Sequence, residues 1–130
     1  MHTLRLILAV LLLAMTNANA ASITYTCEFS SWSDEEGNFA VEDTFAMAFA
    51  YDDITEMAMM IGNQGVQQVV PVVGTEGITF LETLVTGAVQ STTITLTGNA
   101  VHSRNTMISG DLVPTQYYGH CEIESSDFEL

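Results

Sequence analysis

The chain has two cysteines, Cys27 and Cys121, near its opposite ends, and each falls in a run where apolar and polar residues alternate. Over Ser22–Phe29, Ile23, Tyr25, Cys27 and Phe29 alternate with Ser22, Thr24, Thr26 and Glu28. Over Thr115–Glu124, Tyr117, Gly119, Cys121 and Ile123 share one face. A period of two is the pattern of a half-buried strand, so both thiols are predicted to face the interior. A disulfide needs Cα atoms within about 7 Å, and pairing these cysteines would make the first and last strands neighbours. Closing so long a loop is worth about 4–5 kcal/mol in chain entropy.

Between these ends no helical period is sustained, and runs of Val, Ile, Thr, Phe and Tyr are broken by Gly or Asn, which indicates strands and turns. Asp34-Glu35-Glu36-Gly37-Asn38 is predicted as a polar loop, followed by a strand with Phe45, Met47, Phe49 and Tyr51 inward and Ala46, Ala48 and Ala50 outward. After a turn at Asp52-Asp53, the alternation of Met57, Met59 and Ile61 predicts a third strand with those residues in the core. Val66–Val73 contains Pro71, which lacks an N–H and marks an edge or bulged strand. Ile78–Val85 is a fifth strand, Ser91–Thr97 and Ala100–Met107 form a hairpin around Gly98-Asn99, and Ser125–Leu130 is expected to fray. The chain is expected to be all-β, with about eight antiparallel strands in a small barrel or a two-sheet sandwich, clipped at its ends by Cys27–Cys121.

The first 20 residues have the order of a secretory signal: Arg5, the apolar run Leu6–Met15, and the small-x-small site Ala18-Asn19-Ala20. The run is about half of what spans a membrane, and Ile23-Thr24-Tyr25-Thr26 before Cys27 is not a lipobox. Cleavage after Ala20 would leave residues 21–130 as one exported domain, periplasmic or secreted, with no membrane insertion.

That domain keeps one basic residue, Arg104, against all 16 carboxylates of the chain. Such a surface repels nucleic acid and anionic lipid and attracts basic proteins or divalent cations. The carboxylates are dispersed, as on a solvated surface.

Reactive side chains are densest in Ala100–Thr106 and Gln116–Glu122. If the last two long strands pair, His102, Arg104, Gln116, Tyr118 and His120 could meet on one polar face, a composition suited to a contact surface. Neighbouring residues of a strand point to opposite faces, so His102 and Ser103 cannot act together, and no glycine-flanked serine elbow exists. Neither zinc-ligand pairs nor an EF-hand loop is present. Met57 and Met59, two residues apart, are soft thioether ligands that Cu(I) would accept, although core packing explains them as well. No cofactor motif is present. A non-enzymatic binding module is the expected function, ahead of a Cu(I) protein or a small enzyme.

The phrases Gln90-Ser91-Thr92-Thr93-Ile94, His102-Ser103-Arg104 and Val113-Pro114-Thr115-Gln116-Tyr117-Tyr118-Gly119 resemble those of small exported β-proteins of Gram-negative bacteria, a group with no assigned activity. That resemblance implies compartment and architecture and carries over no catalytic residue. A looser similarity links Tyr118-Gly119-His120-Cys121 to the periplasmic inhibitors of c-type lysozyme, whose tyrosine-x-cysteine is one residue shorter and whose serine-glycine loop is missing here. It implies inhibition of a basic cell-wall hydrolase.

Overall fold

Alternation does place Ile23, Tyr25, Cys27 and Phe29 on the inner face of the first strand, in a computed structural model that describes residues 21–127. Residues 1–20, where a secretory signal is expected, and residues 128–130 lie outside the described residues. Eight strands follow in order: β1 (Ala21–Asp34), β2 (Gly37–Asp52), β3 (Ala58–Gly62), β4 (Gly65–Val73), β5 (Gly77–Thr83), β6 (Val89–Thr95), β7 (Asn99–Ile108) and β8 (Asp111–Asp127). Each pairs antiparallel with the next, and β1 also pairs with β8, so the sheet closes as an up-and-down barrel rather than a sandwich. Cys27 lies directly opposite Cys121 in the β1–β8 ladder and is bonded to it, so the disulfide crosses the closing seam. Such a bond fits an oxidising compartment. No helix among the described residues is long and apolar enough to cross a membrane.

The interior is filled from alternate positions of every strand. Phe49 of β2 and Phe80 of β5 stack with ring centroids 4.4 Å apart, and Tyr25 meets Phe80 edge-on at 5.4 Å. Ile78, Ile94, Val69 and Met60 pack around them. The disulfide is part of this same core.

β3 has the opposite phase to the one expected. Asp52 Oδ1 accepts hydrogen bonds from the N–H groups of Ile54 (2.9 Å) and Thr55 (3.2 Å), and Asp52 N–H donates to Met57 O at 2.9 Å. This five-residue turn makes Ala58 the partner of Tyr51 and Met60 the partner of Phe49. Ala58 and Met60 therefore face inward, while Met57 precedes the strand and is exposed with Ile61. Met59 lies with them on the outer side. The core role expected of Met57, Met59 and Ile61 thus belongs to their even-numbered neighbours.

Other boundaries move for equally local reasons. The loop expected over Asp34–Asn38 shrinks to Glu35-Glu36, because Glu36 N–H bonds to Asp34 Oδ1 at 2.8 Å and Gly37 already pairs with Asp34. The β6–β7 turn is Leu96-Thr97-Gly98, not Gly98-Asn99. Gly98 has φ +95°, and a Cβ there would strike Cys121 O and the His120 ring. Far from fraying, Ser125 and Ser126 pair with Ile23 and Ser22.

Both prolines occupy strand positions with one neighbour. β4 pairs with β3 only through Gly65–Val69 and with β5 only from Val70 to Val73, so Pro71 has no β3 partner to miss its N–H. The closed barrel has no edge strand, but Pro71 sits at a local edge all the same. Pro114 pairs with Asn105 of β7 beyond the last β1 partner, Gln116.

Two features shape one end of the barrel. Ser30 is an extra residue in β1 against β8, and four residues of β2, Val41–Thr44, bulge opposite it. The shift of phase brings Trp32 opposite Tyr117 and Phe39, on the inner side. Meanwhile β2–β3 pairing stops at Ala48 and β6–β7 pairing at Ser103, so β2, β1, β8 and β7 rise past their neighbours as a four-stranded wall.

Candidate binding site at the barrel mouth

Below that wall, one row crosses four strands: Phe80 pairs with Thr92, Thr92 with His102, and His102 with Tyr117. Paired residues share a face, so all four point inward. His102 is 1% exposed. Its Nδ1 lies 2.7 Å from Thr92 Oγ1, and its Nε2 accepts a 3.1 Å hydrogen bond from Arg104 Nε–H. Because Nε2 accepts, the proton of the neutral ring sits on Nδ1 and is donated to Thr92. Burial, and secondarily the Arg104 charge, pull the His102 pKa down to about 4.

Arg104 is the one Lys or Arg retained after the expected cleavage, and among the described residues it bonds to the His102 ring and lies over the Phe45 and Tyr117 rings. Its guanidinium lies 4.9 Å from the Phe45 ring centroid and 5.0 Å from that of Tyr117. Those two rings stack at 4.7 Å, and Trp32 stacks on Phe39 at 4.6 Å. A cavity of about 320 Å³ opens beside Arg104, between Phe45, Met60, Glu82 and Gln90. It shares Phe45 and Asn63 with a hollow of about 800 Å³ bordered by Trp32, Phe39 and the acidic bulge residues Glu42 and Asp43. At the opposite end of the barrel, an apolar cavity of about 400 Å³ between Tyr25, Tyr51, Ile78 and Ile94 has no charged side chain on its lining.

The five residues expected to form one polar face are divided by the sheet. His102 and Arg104 face the interior. Gln116, Tyr118 and His120 are on the outer face, where Tyr118 hydroxyl contacts Ser33 Oγ at 2.8 Å and donates to Gln116 Oε1 at 3.3 Å. The reason is parity: His102 pairs with Tyr117, so Tyr118 must point away. Trp32, Phe39, Glu82 and Gln90 are the site residues that sequence reasoning missed. Met57 and Met59 share the outer surface, away from the mouth, and among the described residues no group of three or more His, Cys, Asp or Glu is placed to hold a metal ion.

The buried imidazole makes a pH prediction. A folded pKa near 4 against about 6.5 unfolded means the unfolded chain binds the extra proton between those values. Stability from keeping His102 neutral is present above pH 6.5 and is lost as pH falls towards 4, by about 3 kcal/mol in all. Urea titrations at pH 7 and pH 4.5 should show a smaller loss in His102→Gln than in the parent. Equal losses would mean that His102 protonates freely in the fold.

Comparison with protein-family models, with curated proteins and with solved structures finds no match. The barrel itself defines the class: a closed, eight-stranded, antiparallel up-and-down β-barrel with one disulfide at its seam.

Proposed function

We propose that this protein is an exported, non-enzymatic binding module whose contact surface is the mouth of the barrel. The observation that carries this reading is Arg104, set over Phe45 and Tyr117 instead of against a carboxylate among the described residues. In so acidic a chain a structural arginine has abundant ion-pair partners. An arginine held by an imidazole and backed by aromatic rings is dressed for a partner from outside. An interior packed around Phe49 and Phe80, with Glu28, Glu122 and Glu124 exposed on the outer face, supports a soluble domain after signal cleavage. Inhibition of a basic cell-wall hydrolase is one form such binding could take, favoured by the net charge.

The test is capture from envelope extract by residues 21–130, compared with Arg104→Gln and Phe39→Ser at the mouth and Tyr118→Ala outside. Capture lost in both mouth variants and kept in Tyr118→Ala supports the reading. The reverse pattern moves the site to the outer face, and hydrolytic turnover by purified protein overturns the non-enzymatic assignment.

A further inference from the structure

Glu82 of β5, Gln90 of β6 and Arg104 of β7 occupy the inner rim one step above the Phe80–Thr92–His102 row. Glu82 pairs with Gln90, and Arg104 follows Ser103, the partner of Ser91, so the three stand side by side across adjacent strands. Strands are about 4.7–4.9 Å apart, which sets the Glu82 and Arg104 backbones about 9–10 Å from each other with the amide between. No hydrogen bond joins the two charged side chains: Arg104 Nε is directed to His102, and its guanidinium lies on Phe45 and Tyr117. A carboxylate and a guanidinium thus line the same cavity unpaired, over a floor that includes Phe45, Met47 and Met60.

From this arrangement, and resting on the reading of the mouth as the binding site, we infer that the cavity takes a small zwitterion: its carboxylate on Arg104, its ammonium on Glu82, and an apolar or aromatic body against Phe45 and Met60. The long-range field narrows the choice. A purely anionic ligand is repelled by the acidic surface, and a purely cationic one leaves Arg104 facing it. A zwitterion feels little net field yet satisfies both local charges, each by a charge-assisted hydrogen bond. Gln90, between them, offers both a donor and an acceptor.

The chain carries its own reporter, since Trp32 is its one tryptophan and borders the same mouth. Phenylalanine, phenylacetate and phenethylamine share a benzyl group, on which the first carries both charges, the second only a carboxylate and the third only an ammonium. Titrated against residues 21–130, phenylalanine should bind about tenfold or more tighter than either singly charged compound, by Trp32 emission and by NMR shifts of mouth residues. Glu82→Gln should weaken phenylalanine by about tenfold without weakening phenylacetate, and Arg104→Lys should weaken both acids. NMR spectra of the variants establish that they are folded. Phenylacetate or phenethylamine binding as tightly as phenylalanine overturns the inference, as does no response to phenylalanine at millimolar concentration. If the amino acid fails while capture from extract still depends on Arg104 and Phe39, the ligand class falls and the mouth stands. If capture is independent of the mouth, both fall.

Discussion

Phe80→Ala is expected to destabilise the barrel by about 3–5 kcal/mol, lowering Tm by about 10–30 °C. Phe80 and Phe49 are each 1% exposed and stack nearly parallel, with rings 4° apart in plane, at the level where Tyr25 also closes on them. Truncation removes the transfer free energy of a whole ring and leaves a void that the closed sheet cannot collapse into, because every strand is fixed on both sides by its ladder. Phe80→Leu keeps much of the volume and should cost markedly less. Urea denaturation of both variants checks the point, and similar small losses would mean that the core repacks around the gap.

Loss of the disulfide should be comparable. Cys27 and Cys121 are separated by 94 residues, and a loop of that size is worth about 4–5 kcal/mol through the unfolded chain. The folded barrel changes little, because the β1–β8 ladder continues on both sides of the bond. The double variant Cys27→Ala, Cys121→Ala should therefore show a lower urea midpoint together with a steeper dependence on urea, since the unlinked chain expands further on unfolding. Since both sulfurs are buried, a mild reductant should act on the native protein only as fast as it opens. An unchanged midpoint in the double variant would show that the bond constrains nothing the ladder does not already hold.

Much of this architecture was legible because strand alternation and the cysteine positions act together. Inward Tyr25, Cys27, Phe49 and Cys121 follow directly from a period of two, and two inward cysteines at the chain ends imply a β1–β8 seam. Choosing a barrel over a sandwich depended on every intermediate pairing, which no local pattern reports. The phase of β3 was lost because Met57, Ala58, Met59, Met60 and Ile61 are nearly all apolar, leaving the Asp52 turn to decide the register.

The site was half legible. Both His102 and Arg104 were singled out, but their face was not, because β7 alternates weakly. The missing signal was Ser109-Gly110, which forms a two-residue hairpin turn with φ of 50° and 87°. Reading that turn fixes Ile108 against Asp111 and, counting back, His102 against Tyr117, which lies on the inward face with Cys121. Trp32 was out of reach by such means. Its inward position depends on the extra residue at Ser30, and a bulge leaves no mark in an alternating sequence.

The position of the disulfide at the seam also orders events in time. A chain emerges from its ribosome N-terminus first, so β1 is available long before β8, and the sheet can grow from β1 to β7 while its closing partner does not yet exist. The last pairing made is the one between the most distant segments, the kind of contact whose formation is slowest. Until then β1 has an open edge and Cys27 a free thiol. With only one other cysteine in the chain, that thiol has a single intramolecular choice, and pairing of β1 with β8 brings that partner directly opposite it.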